Sequence, residues 1–167
     1  SRVSTMGIIP YDYLDVLDDR LMKIPKVEAP LATFFLRIPL SVMFFQQGFS
    51  KWPVDGAVAE MWNLPYVVWW FVTWGEMGSA IGLLVGGVIG IVPWHRWLSN
   101  FWRSVAWNIG DIVTRFSAIT MTCVVTGVIW LMSPASLWDV IWRDYLHVSL
   151  YVGALYFALR GNAKYGV

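Results

Sequence analysis

The sequence predicts an all-α integral membrane protein: a four-helix bundle with short interfacial amphipathic helices. Three observations lead there. The chain is 57% hydrophobic and only 14% charged, whereas a soluble domain carries about 25% charged residues. The apolar residues gather into four long runs, the pattern of membrane-crossing helices around one helical domain. The 12 tryptophans fall mostly toward the ends of those runs, where aromatic belts sit at a bilayer surface. A net charge of +1 and the lack of a basic cluster exclude an electrostatic nucleic-acid partner. The single cysteine, Cys123, has no partner for an intrachain disulfide.

Residues 1–30 form an N-terminal segment ahead of the helical domain, 31–167. Within it, 11–24 reads as an amphipathic helix, with Leu14, Leu17, Leu21 and Ile24 on one face opposite the aspartates. Pro25 ends it. Residues 1–30 lack the apolar core of a signal peptide, so the first crossing is expected to be its own insertion signal.

The first crossing is expected over 31–49. It contains Pro39, which favours a kink, and a stripe of Arg37, Ser41, Phe44, Gly48 and Lys51 at helical spacing. The second runs over 66–92 and carries one charge, Glu76. At ~1.5 Å per residue it is long enough to cross a hydrocarbon core of roughly 30 Å. Its second half repeats glycine at 78, 82, 86 and 90, a groove where another helix can approach closely. Between the second and third crossings, residues 94–107 alternate aromatic and polar faces, the pattern of a separate amphipathic helix lying in the interface. The third crossing is expected over 109–132, and the fourth over 138–160 with Gly161 as its C-cap.

Orientation follows from the bases. With four crossings, Arg2, Arg20, Lys23, Lys26, Arg96, Arg103, Arg160 and Lys164 share one side, and the other has little beyond Lys51 and Arg143. The positive-inside rule therefore places both termini in the cytoplasm, in the inner (cytoplasmic) membrane of the cell. Trp94, Trp97, Trp102 and Trp107 would form the inner belt. Trp52, Trp62, Trp69, Trp130, Trp138 and Trp142 would form the outer one.

Depth follows from the helical rise. Glu76 lies roughly 15 Å below the outer end of its helix, and His147 lies at a similar level. A polar layer is expected there from Gln46, Gln47, Glu76, Thr122, Thr126 and His147, with Lys51, Arg143 and Asp144 above it. Arg37, Asp111 and Arg115 form a second layer nearer the cytoplasm.

Glu76 carries the sharpest chemical signal. An acid inside a bilayer either does work, as a proton acceptor or ligand-orienting group, or closes a structural ion pair or hydrogen bond, here with Lys51, Gln46 or Gln47. His147 is a candidate proton partner or donor to a quinone carbonyl, with a plain packing role as the alternative. Arg37 and Arg115 would bind an anionic headgroup or substrate, or else snorkel to the interface. The histidines, His95 and His147, fall on opposite sides and cannot hold a haem between them. No cysteine and histidine spacing suits zinc or an iron–sulfur cluster, and no metal site is expected. Any electron-transfer cofactor would be a diffusible quinone or belong to a partner subunit.

Several stretches together resemble the DoxX-like membrane proteins. LRIPLSVMFFQQGFSKW (36–52) is similar to their first helix, with Arg37, Gly48 and Lys51 at the arginine, glycine and lysine positions. GEMGSAIGLLVGG (75–87) resembles their second-helix motif and puts Glu76 at its acid. TRFSAITM (114–121) resembles the third-helix motif, with Arg115 at the arginine, and LYFALRGNAKYGV (155–167) the usual ending. The resemblance implies a small membrane subunit linked to quinone or sulfur-compound oxidation, similar to the DoxD subunit of thiosulfate:quinone oxidoreductase. On that expectation Glu76 and His147 carry the chemistry. Gln46, Gln47, Lys51, Arg37 and Arg115 bind the ligand, a quinone or small reductant, with no covalently held cofactor. The expected partners are other membrane subunits and lipid. The alternatives are a non-catalytic assembly subunit of a larger membrane complex, and a small-solute transporter.

Overall fold

The computed structural model describes residues 29–162. The expected amphipathic segment at 11–24 and the last five residues lie outside that range. Among the described residues every regular element is helical. In chain order the helices are α1 (Ala29–Phe49), α2 (Gly56–Met61), α3 (Tyr66–Ile91), α4 (Asn100–Leu131), α5 (Leu137–Arg143) and α6 (Tyr145–Arg160), with a 3-10 turn at Trp94–Arg96. The four longer helices pack in sequence order, α1 on α3, α3 on α4 and α4 on α6.

Two of these helices, α3 and α4, are long and apolar enough to cross a membrane. The predicted second crossing matches α3 to within a residue at its end. The third departs from expectation. No proline or cap interrupts residues 100–131, so the segment read as a separate interfacial helix continues into the apolar run as one 32-residue helix. At ~1.5 Å per residue this helix is about 48 Å long, well beyond a hydrocarbon core of roughly 30 Å. Its first turns keep the amphipathic face, with Phe101 and Trp102 exposed.

The predicted fourth crossing is broken. Asp144 stands between α5 and α6 in a non-helical conformation, and its carboxylate accepts the His147 backbone N–H across 3.5 Å. Aspartate competes with helical carbonyls for nearby donors and so favours caps over helix interiors. That leaves α6 with 16 residues. Ser136 caps α5 by accepting from Asp139 N. Asp55 caps the short α2 by accepting from Ala57 N. Gly161 is the C-cap of α6, as expected, at φ 67°; a side chain at that φ is strained.

Close packing rests on small residues at matching positions. The glycine groove of α3 faces α4 at Gly82 and Gly86: Gly82 abuts Ser117, and Gly86 abuts Thr114 and the Gly110 carbonyl, while Gly90 abuts Asn162 beyond α6. Gly78 faces open space instead. The core between the helices holds Leu40, Phe44, Leu83, Met121, Leu150 and Phe157, all buried.

Candidate functional site

The stripe read on the first crossing is the buried face of α1. Arg37, Ser41, Phe44 and Gly48 are buried and Lys51 is half-buried. Gly48 decides how close α1 comes to α3. A Cβ there would meet Met77 Cγ at 2.7 Å, the Thr73 carbonyl at 2.9 Å and Glu76 Cβ at 3.0 Å. With only hydrogen in that space the backbones close up, and Lys51, a turn later, reaches Glu76. Lys51 Nζ donates to Glu76 Oε2 at 2.5 Å and to the Gln47 carbonyl at 3.1 Å. Its ammonium also sits 5.8 Å from the centroid of the Trp69 ring, within cation–π range.

The Glu76 side chain is 4% exposed and that of Lys51 16%. The pair forms one wall of a cavity of about 230 Å³. Gln47 lines it from α1, Trp62 from the end of α2 and Trp69 from α3, His147 and Leu150 from α6, and Val124, Val125 and Val128 from α4. His147 lies within electrostatic reach of Glu76. Its Nδ1 is 2.5 Å from Asp144 Oδ1.

The expected polar layer therefore assembles in part. Gln47, Lys51, Glu76 and His147 come together, with Asp144 behind the histidine. Gln46 is exposed on the outside of α1. The Thr122 and Thr126 hydroxyls donate to carbonyls of their own helix, at Ala118 and Thr122. Helical rotation turns Val124, Val125 and Val128 to the cavity instead, so its α4 wall is apolar. Arg143 pairs with Asp139 in an exposed i,i+4 bridge away from the cavity.

Trp69 corrects the belt assignment. It is 8% exposed and lines the cavity, and its indole N–H is buried without a partner. The signal was present in the sequence: Trp69, Thr73 and Glu76 share a helical face, and all three are buried. Weight given to tryptophan as a membrane marker hid that spacing. The short helix α2, with Trp62 as its C-cap, was also missed.

Arg37 and Arg115 sit at the other end of the bundle. Arg37 is about 21 Å from Lys51 along α1 at ~1.5 Å per residue. Only 2% exposed, it donates to the Leu83 carbonyl of α3, to Thr114 Oγ1 of α4 and to Asn162 Oδ1 beyond α6. Its guanidinium also lies over the Phe157 ring. Asn162, which sequence reasoning left in the tail, joins this network. Its amide donates to the Gly86 carbonyl, and its backbone N–H to Asp111 Oδ1. Arg115 pairs with Asp111 and donates to the last carbonyls of α6, at Ala158, Leu159 and Arg160. Both arginines thus direct most of their donors to the protein, in a lock that ties the helices together, while Arg37 Nε is buried without a partner.

Among the described residues, no group of three or more histidine, cysteine, aspartate or glutamate side chains is placed to hold a metal ion. The cavity can accept or donate hydrogen bonds through Gln47, Glu76, Lys51 and His147, against walls of tryptophan, valine and leucine. No curated protein and no solved structure matches the chain. A family model described as DoxX matches residues 32–92, a span that contains most of α1, all of α2 and α3, and the Lys51–Glu76 pair but neither His147 nor Asp144. Over those residues the chain is similar to the DoxX family, and two of its helices, α3 and α4, are long and apolar enough to cross a membrane.

Proposed function

We propose that this protein is a four-helix membrane bundle, with α1 and the broken α5–α6 segment crossing alongside α3 and α4, and that it acts as a small subunit of a membrane redox complex. The cavity at Glu76 binds the head of a quinone or a small reductant in the outer half of the bilayer. The observation that carries this reading is the convergence of Lys51, Glu76, Gln47 and His147 on one cavity of about 230 Å³. Ligand pockets are typically about 300–1,000 Å³, apolar, with a few convergent polar groups. A smaller cavity suits a single ring or a compact molecule. Lys51 is neutralised by Glu76 and so holds little attraction for a free anion, which favours a neutral ligand. Glu76 orients the ligand or takes its proton, and the electron-transfer partner belongs to another subunit.

The E76Q protein tests this. In native membranes it is expected to lose at least tenfold in quinol-linked turnover, and in nanodiscs to bind a short-chain benzoquinone at least tenfold more weakly. Wild-type turnover in E76Q would remove Glu76 from the chemistry. Wild-type binding as well, with an unchanged set of co-purifying subunits, would favour the assembly role instead.

A further inference from the structure

We infer that Asp144 positions His147 so that the cavity presents hydrogen-bond acceptors, and that the preferred ligand is the hydroxyl-bearing, reduced form of a ring compound, a quinol rather than a quinone. This rests on the cavity being a ligand site, as proposed above.

The break between α5 and α6 sets up the geometry. Asp144 has left the helix, with φ −117° and ψ 46°. Its Oδ1 turns back over the first turn of α6 and meets both the backbone N–H of His147, at 3.5 Å, and the ring Nδ1, at 2.5 Å. An ionised carboxylate only accepts hydrogen bonds, so Nδ1 carries the proton. A neutral imidazole has one N–H, which leaves Nε2 with a lone pair. Among the described residues Asp144 is the one hydrogen-bonding partner of the ring, and the Nε2 edge remains for the cavity that His147 lines.

The other charged groups at the cavity act in the same sense. Lys51 directs its ammonium to Glu76 and to the Gln47 carbonyl, while ionised Glu76 is acceptor-only. The Trp69 indole N–H, buried without a partner, and the Gln47 amide add donors, so the ligand oxygen that suits the cavity best both accepts from these and donates to the Glu76 carboxylate or His147 Nε2. A quinol has two ring hydroxyls to give, and a quinone has none. His147 therefore acts here as an acceptor, opposite to the carbonyl donor suggested by the sequence.

Nitrogen NMR of the full chain in lipid nanodiscs tests the first half. The chain has two histidines, so an H95Q background with ¹⁵N-labelled histidine leaves His147 alone. At neutral pH the expected spectrum shows Nδ1 protonated and Nε2 bare. D144N should lower the bare-Nε2 population several-fold, because an asparagine amide can donate to Nδ1 and still cap α6, and D144E should restore it. A wild-type ring protonated at Nε2, whether as the other tautomer or as imidazolium, overturns the proposal.

Equilibrium binding of a short-chain benzoquinone and of its quinol tests the second half. The quinol is expected to bind at least tenfold more tightly, with D144N losing that preference through weaker quinol binding and a quinone affinity equal to or above that of the wild type. Equal binding of the two forms overturns the assignment of ligand class. Absence of binding by either form, with the expected tautomer, overturns the ligand reading of the cavity and leaves Asp144 as the residue that positions His147.

Discussion

At the scale of single residues, the Lys51–Glu76 pair ties α1 to α3 and forms one wall of the cavity. Removing one partner of a buried ion pair leaves the other charge without compensation, at a cost of about 3–5 kcal/mol, while replacing both with well-packed neutral groups is often nearly neutral. Glu76 is the more deeply buried, its side chain 4% exposed against 16% for Lys51. K51M is therefore expected to destabilise more than E76Q, and the K51M/E76Q double variant less than the sum of the two. Thermal unfolding in detergent, read as a double-mutant cycle, checks this; strictly additive effects would deny the pairing. The same residues show how far the site was legible in the sequence. Helical spacing and depth brought Gln47, Glu76 and His147 to one level with Lys51 above them, because periodicity and rise are fixed by backbone geometry. The same arithmetic admitted Thr122 and Thr126, since level alone does not specify which way a side chain faces. It could not show that Arg37 and Arg115 direct their terminal guanidinium nitrogens to partners within the fold, a property of tertiary contacts with Thr114, Asn162 and the α6 carbonyls.

At the scale of elements, the contact between α3 and α4 depends on where each glycine of the groove points. A Cβ on Gly86 would meet the Gly110 carbonyl at 3.0 Å and the Thr114 backbone nitrogen at 3.1 Å, backbone atoms that cannot swing aside. G86A is expected to destabilise by about 1–3 kcal/mol, the usual cost of overpacking. A Cβ on Gly78 meets nothing within 4 Å, so G78A should be neutral or stabilising by up to ~1 kcal/mol, since alanine is the better helix former. Unfolding midpoints of the two variants, compared in one detergent, check the contrast; equal losses would mean that the groove packs evenly along its length. The sequence made all four glycines look alike, because a four-residue repeat drifts slowly around a helix of 3.6 residues per turn. Helix boundaries diverged for a related reason. Amphipathic and apolar stretches join without a stop signal at residue 108, while a single aspartate at 144 ends a helix that hydropathy would have continued.

At the scale of the whole molecule, two polar centres lie toward opposite ends of one bundle, and their connectivity bears on orientation. The Arg37 network pins the first half of α1, the second half of α3, the first half of α4 and the end of α6 to one level. Residues 160–162, after α6, therefore lie toward the 92–100 turn, where Arg96 and Trp97 are exposed. At the cavity end lie the two connections 50–65 and 132–144, with Trp130, Trp138 and Trp142 exposed around them. Applied to this arrangement, the positive-inside rule predicts the Arg37 end at the cytoplasmic face and the cavity toward the outside. Single-cysteine labelling tests that orientation. Cys123 is the native free thiol, so C123S gives a clean background for W97C and S136C, both at exposed positions. On intact cells whose outer face is open to reagent, a membrane-impermeant maleimide is expected to label S136C at once and W97C only after permeabilisation. The reverse order would turn the protein over and open the Glu76 cavity toward the cytoplasm. Immediate labelling of both would mean that these two turns lie on the same side, and that α4 does not cross.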